Sequence, residues 1–112
     1  MKVDQLLEAR YASKEPIKQQ FSLYDPRREK YPYASKHEDN VIVSWATKLM
    51  PSATFDTFEQ ARQYLDMIQE RLDQKIVNTR NANQNQQYIN IFVRGREASN
   101  NFRIIKIVQQ YA

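Results

Sequence analysis

The chain has 112 residues, of which 41% are hydrophobic and 27% charged, with no cysteine and a formal net charge of +4. This length suits one domain with one modest core. The lack of cysteine excludes disulfides, thiolate nucleophiles and cysteine-based zinc sites. No stretch approaches the roughly 18 consecutive apolar residues that a membrane span needs, and the start lacks the apolar region of a secretory signal. We expect a soluble, non-secreted protein.

The first segment, residues 1–8, ends in Leu6, Leu7 and Glu8, and the small Ala9 follows. These residues resemble the short propeptide of head-packaged internal proteins in tailed phages of the T-even type, a family whose prohead protease cuts after glutamate in a [Leu/Ile]-x-Glu sequence. The resemblance covers about ten residues. It implies cleavage between Glu8 and Ala9 and packaging in the phage head. The alternative is a short amphipathic helix that packs Val3, Leu6 and Leu7 on the domain.

The second segment, residues 9–39, is basic, aromatic and interrupted by prolines. Residues 1–37 carry eight Lys and Arg against five Asp and Glu, so the basic excess lies in the first third of the chain. Proline disfavours regular structure around it. We therefore expect an extended or irregular segment, with a short strand near Phe21 to Tyr24. Its interleaved aromatic and basic residues are Phe21, Tyr24, Tyr31 and Tyr33 with Lys18, Arg27, Arg28 and Lys30.

The third segment, residues 40–112, has the pattern of a single α+β domain. Residues 41–49 alternate with period two and predict a half-buried strand with Trp45 in the main core, ended by Pro51. A helix of about five turns is predicted to start near Phe58, because Asp56 or Thr57 can cap it and Gln60 stands in the capping-box position. Its apolar stripe consists of Phe58, Ala61, Leu65, Ile68, Leu72 and Ile76.

The remaining residues predict a flexible connection and two further strands. The tract at 78–87 holds seven Asn and Gln and too few apolar residues to offset the entropy of ordering. Residues 88–94 and 102–108 have strand-like patterns, and GREASNN between them predicts a hairpin with Gly95 near its start. The expected fold is therefore α+β with the order β-α-β-β, one long amphipathic helix packed on a small mixed or antiparallel sheet.

The inventory of catalytic side chains is poor. The single histidine, His37, is expected in a solvated loop, and a single glycine excludes the glycine-rich loops that cradle phosphates. Helix carboxylates Asp66, Glu70 and Asp73 are expected on a solvated face beside Arg62 and Arg71. We predict a protein that is not an enzyme and holds no cofactor and no metal.

One candidate binding surface is the outer face of the expected sheet, where aromatic rings and cations alternate. Bases stack on such rings while phosphates meet the cations. The alternative is that the N-terminal segment covers this face as a second, minor core. The residues of the predicted binding face are Tyr88, Phe92, Arg94, Arg103, Lys106 and Lys48.

These observations predict a small non-enzymatic binding or accessory protein. The resemblance of the leader implies a phage protein, packaged with DNA, that acts on a host component from the phage head or the host cytoplasm. The alternatives are an RNA or single-stranded nucleic-acid binder that uses the sheet face, and a structural or assembly subunit. The expected partners are a host or virion protein or a nucleic acid, with no role for a membrane, and the oligomeric state stays open.

Overall fold

The computed structural model describes residues 18–37, 40–81 and 86–109. Within these ranges it shows a small α+β globule with two helices and two antiparallel sheets, so the predicted α+β class is confirmed. The predicted order β-α-β-β with one helix is corrected to β-β-β-β-α-α-β. In chain order the elements are β1 (Lys18–Tyr24), β2 (Tyr31–His37), β3 (Asn40–Ala46), a 3₁₀ turn (Pro51–Ala53), β4 (Thr54–Phe55), α1 (Phe58–Asn81), α2 (Gln86–Ser99) and β5 (Arg103–Gln109).

The two sheets meet at the hairpin that joins β1 to β2. One sheet has the order β4-β1-β5, with β1 antiparallel to both neighbours, and the other pairs β2 with β3. Between β1 and β2 the structure records the single bridge from Asp25 to Lys30. The segment expected to be extended or irregular supplies two strands, and the short strand expected near Phe21 to Tyr24 lies within β1. Pro26 lies in the turn and Pro32 is the second residue of β2, so neither proline interrupts β1.

The first helix begins at Phe58, as its capping pattern predicts. The Gln60 backbone N–H donates to Thr57 Oγ1 at 3.1 Å, and the Asp56 N–H donates to Gln60 Oε1 at 3.1 Å. The first bond satisfies a donor that helix geometry leaves without a partner, and the second connects Gln60 to the residue that precedes the cap. The helix continues to Asn81, so residues 78–81 of the Asn/Gln tract are helical rather than flexible; residues 82–85 lie outside the described part.

The predicted strand at 88–94 is wrong, because these residues form the middle of α2. Ile89 and Phe92 are buried at a helical spacing of three, and Gly95 is buried one turn further on. A Cβ atom on Gly95 would lie 3.4 Å from Val43 Cγ2 and 3.7 Å from Leu72 Cδ1. These are ordinary van der Waals distances, so α2 packs directly on β3 and α1 at Gly95. The predicted hairpin at GREASNN does not form, because residues 95–99 belong to α2.

The hydrophobic core lies between the helix pair and the strands. Burying one large apolar side chain fully in this core contributes roughly 1.5–3 kcal/mol to the free energy of unfolding. Because both helices and β1 and β3 contribute to one cluster, this core sets the positions of the turns that leave those elements. Its buried members are Leu23, Val43, Ile68, Leu72, Phe92 and Phe102.

Candidate functional site

The β1–β2 turn, DPRREK at residues 25–30, is organised by Asp25. Its Oδ1 accepts hydrogen bonds from the backbone N–H groups of Arg27 at 3.0 Å and Arg28 at 3.4 Å. The Asp25 carbonyl accepts from the Glu29 N–H at 2.7 Å, and Glu29 adopts a left-handed φ of 54°. Asp-Pro at the start of a turn favours this local geometry. As a result, two consecutive arginines lie at the tip.

The second oxygen of Asp25 connects the turn to the core. Asp25 is 0% exposed, and its Oδ2 accepts from Trp45 Nε1 at 2.9 Å and from Arg28 Nη1 at 3.0 Å. The Arg28 Cζ atom lies 4.2 Å from the centre of the Trp45 ring. The Trp45 ring, only half-buried, packs edge-to-face on Phe102. Arg28 is thereby held in one orientation by an ion pair and a cation–π contact.

The ionisation of Asp25 follows from these contacts. Burial by itself raises the pKa of this carboxyl, but hydrogen bonds from Arg28, Trp45 and two backbone N–H groups outweigh it and hold the pKa below its ordinary value. The carboxylate is therefore charged at neutral pH and keeps its four donors in place.

The α2–β5 turn faces the β1–β2 turn. Backbone bonds from Asn100 to Glu97 at 3.2 Å and from Asn101 to Ala98 at 3.0 Å close it. Within it Ser99 is buried and accepts from Gln69 Nε2 at 3.1 Å, which ties the turn to α1. The turn therefore presents the amide side chains of Asn100 and Asn101 beside the two arginines of the β1–β2 turn.

Two adjoining grooves lie between these turns. The smaller one, of about 200 Å³, is lined by Arg27, Arg28, Arg94, Glu97, Ala98 and Asn101. The larger one, of about 490 Å³, is lined by Pro26, Arg27, Asn100, Asn101, Phe102 and Arg103. They share Arg27 and Asn101, so we treat them together as the arginine groove.

The arginine groove is strongly cationic. Its four arginines are all exposed, and Glu97 is the one acidic side chain among the described residues that line it. Within the described part of the chain, Arg28 alone of the four has a carboxylate partner. The guanidinium groups of Arg27, Arg94 and Arg103 are thus placed to attract an anion.

The structure brings together two of the six residues that the sequence predicts for binding. Arg94 lines the smaller groove and Arg103 the larger one, although they come from α2 and β5 rather than from two strands of one sheet. Lys48 and Lys106 are exposed but line neither groove. Lys106 pairs with Phe21, whose ring contacts Phe58 of α1, so it lies on the helix side of its sheet.

The two predicted aromatic residues are corrected. Phe92 is 1% exposed in the core, and Tyr88 is half-buried with its ring 6.4 Å from the Phe92 ring. A helix places residues 88 and 92 on one side of α2, here the packed side, which a strand pattern does not anticipate. The predicted cleavage site at Glu8 and Ala9 lies outside the described residues.

A local turn signal in the sequence also marks Arg27 and Arg28. They follow Asp25 and Pro26, a turn-forming pair flanked by two aromatic stretches, which is typical of a hairpin tip. A turn signal with two arginines at its tip identifies an exposed cationic projection. It does not identify the second turn against which these arginines lie.

Three other features of the described residues bear on function. A further cavity of about 250 Å³ is lined by Val41, Arg71, Gln74, Lys75 and Asn78. Across the described ranges no three carboxylate or histidine groups cluster in a way that suits a metal ion. Neither α1 nor α2, as far as they are described, combines the length and apolar character of a membrane-spanning helix.

Comparison of this chain with protein-family models, with curated proteins and with solved structures found no match. The fold and the site define a small α+β protein with an arginine-lined groove between two turns.

Proposed function

We propose that this is a small non-enzymatic accessory protein that binds nucleic acid, with the arginine groove holding the sugar-phosphate backbone. The observation that supports the proposal is the convergence of Arg27, Arg28, Arg94 and Arg103 from three separate segments onto two adjoining grooves. A formal net charge of +4 adds a favourable long-range field.

The chemistry of the lining side chains favours phosphate as the group bound. A guanidinium presents planar, paired N–H donors that match two phosphate oxygens, and it stays charged at every physiological pH. The side-chain amides of Asn100 and Asn101 add donors and acceptors that hydrogen-bond to phosphate, sugar or base edges. These groups supply positive charge and hydrogen bonds, so their role in the proposal is binding.

The test uses Arg27→Ala/Arg94→Ala in the full chain and a fluorescein-labelled 20-nucleotide DNA at 50 mM salt. Fluorescence anisotropy should show at least a tenfold loss of affinity, because two phosphate contacts are removed. The slope of log K against log[salt] should become shallower by one to two units, since roughly one counterion is released per contact. Both effects measure what Arg27 and Arg94 contribute to phosphate binding, and a control at an arginine outside the groove separates this contribution from the change in total charge.

The matched control is Arg62→Ala, which removes one exposed arginine of α1 that pairs with Asp66 and lines neither groove. It should change affinity less than twofold. If Arg62→Ala alone weakens binding tenfold, the loss expected for the groove variant, or if the wild-type protein binds no nucleic acid at low salt, the proposal is wrong.

A phage origin, packaged with DNA, remains a separate proposal that rests on Leu6, Leu7, Glu8 and Ala9. A groove that binds phosphate groups would suit a protein that is packed against condensed DNA in a phage head. Intact-mass measurement of the protein from its native source decides it: the proposal requires a chain that begins at Ala9, whereas a chain that retains Met1 in mature particles contradicts it.

A further inference from the structure

The larger half of the arginine groove adjoins a pair of tyrosine rings. Tyr24 is the pairing partner of Arg103 in the β1–β5 register. Residues directly opposite each other on antiparallel strands present their side chains on the same face, about 5 Å apart. The Tyr24 ring lies 5.4 Å from the Tyr31 ring at an angle of 61°. Arg103 therefore lies beside an aromatic pair.

This aromatic pair lies on the sheet face that points away from the helices. Leu23 and Ile104 pair with each other, Leu23 belongs to the core, and Ile104 packs against it. Because side chains alternate along a strand, Tyr24 and Arg103 point to the opposite face. Tyr24 and Tyr31 are both half-buried, so part of each ring is accessible there.

We infer that the nucleic acid held by the arginine groove is single-stranded, with a base stacked on the Tyr24–Tyr31 pair and the adjoining phosphates on Arg103 and Arg27. This inference rests on the proposed function. Stacking on an aromatic ring needs a base whose face is free, which a single strand offers and a duplex does not.

The dimensions of the groove agree with an unpaired strand. The larger groove, at about 490 Å³, falls in the range of cavities that hold small organic ligands, which includes a single nucleotide. Arg27 lines both grooves, so one phosphate at Arg27 connects a nucleotide in the larger groove with the next phosphate between Arg28 and Arg94 in the smaller. A duplex that contacts the same arginines leaves the tyrosine pair unused.

The experiment compares three ligands at one salt concentration: a 12-nucleotide oligo(dT), a 12-base-pair duplex and inorganic polyphosphate of similar charge. The variants are Tyr24→Leu, which removes the aromatic face, and Tyr24→Phe, which keeps it. We expect the wild-type protein to bind oligo(dT) at least tenfold more tightly than the duplex. Tyr24→Leu should lose about tenfold for oligo(dT), within the range for one stacked base, and should retain its affinity for polyphosphate.

Tyr24→Phe should bind all three ligands as the wild type does. Equal wild-type affinities for oligo(dT) and duplex overturn the inference, as does unchanged oligo(dT) binding by a folded Tyr24→Leu. Tyr31→Leu and Tyr31→Phe repeat the comparison if Tyr24→Leu does not fold. Failure of the proposed function gives a different result, because none of the three ligands then shows salt-dependent binding.

Discussion

The two turns that border the arginine groove each contain a charged cluster with a central arginine, and they use it in opposite ways. In the β1–β2 turn, Arg28 has one buried carboxylate partner and one aromatic neighbour, and its side chain stays 39% exposed toward the smaller groove. In the last turn of α2, which leads into the α2–β5 turn, Arg96 donates to Asp73 at 2.8 Å, to Asn100 at 2.7 Å and to Ser99 at 3.3 Å.

This difference separates an arginine that is available to a ligand from one that stabilises the fold. A guanidinium has five N–H donors in a fixed plane. Arg96 directs its donors to three protein groups that fasten α2 to α1 and to the following turn, whereas one nitrogen of Arg28 is paired with Asp25 in the described structure. The number of protein partners, rather than the residue type, distinguishes the two roles.

The largest effect is expected from Asp25→Ala. The substitution removes four hydrogen bonds and leaves the Trp45 Nε1 donor without its acceptor, so the free energy of unfolding should fall by about 3 kcal/mol. Chemical denaturation measures it. The matched control is Asp73→Ala, whose carboxylate is 57% exposed in its pair with Arg96 and should cost less than about 1 kcal/mol. Equal losses would remove the distinction between the two turns.

The same carboxylate predicts a pH dependence. Since the folded pKa of Asp25 lies below its unfolded value of about 3.9, its contribution is complete above that pH and is lost as the pH falls toward the folded pKa. The difference in unfolding free energy between wild type and Asp25→Ala should be constant from pH 5 to 7 and shrink below about pH 4. Urea titrations at several pH values measure it. A difference that persists unchanged at pH 2 would contradict the depressed pKa.

A smaller loss of stability is expected from Ser99→Ala. Ser99 is 1% exposed, and its hydroxyl donates to the Arg96 carbonyl and accepts from Gln69. Its removal should cost about 1–2 kcal/mol, because the partly buried donors of Gln69 and Arg96 lose their acceptor. Since Ser99 lines neither groove, oligonucleotide affinity of the folded variant should stay within twofold of wild type. A parallel loss of affinity would mean that the hydrogen bonds of Ser99 also hold Asn100 and Asn101 in the geometry that binds the ligand.

The smallest effect is expected at Glu29, which has a left-handed φ of 54°. Glycine adopts this φ without steric cost, so Glu29→Gly should raise the free energy of unfolding, by less than about 1 kcal/mol. Lys30→Gly is the control, because Lys30 is not among the described residues with a positive φ, and glycine there should only add chain entropy to the unfolded state. Thermal unfolding measures both variants: the melting temperature should rise for Glu29→Gly and fall for Lys30→Gly.

Local signals in the sequence predict part of this fold. The start of α1 follows from Thr57 and Gln60, and its burial from the apolar spacing, because both depend on residues close in the chain. The strands at 41–49 and 102–108 correspond to β3 and β5, with ends shifted by one to three residues.

The second helix shows where such signals fail. Ile89, Ile91 and Val93 alternate as in a strand, whereas Ile89 and Phe92 also fit a helical period. Tertiary packing decides between them, because the helix buries Ile89 and Phe92 on one side, with Phe92 in the core cluster beside Val43 and Leu72. Arg94 and Arg103 can be named from their charge, but their meeting with Arg27 depends on how the two turns are packed, which no local pattern encodes.

The pairing of β1 with β5 also determines when the arginine groove forms during folding. Arg27 and Arg103 are separated by most of the chain and become neighbours only when Tyr24 meets Arg103 across the two strands. Contacts of such long sequence separation form late, because closing the loop between the two residues costs entropy before the favourable contacts can offset it. During synthesis, the hairpin and both helices emerge from the ribosome before the strand that completes the groove. A chain still being translated therefore has no assembled arginine groove, and under the proposed function it acquires nucleic-acid binding only after β5 has been released and paired with β1.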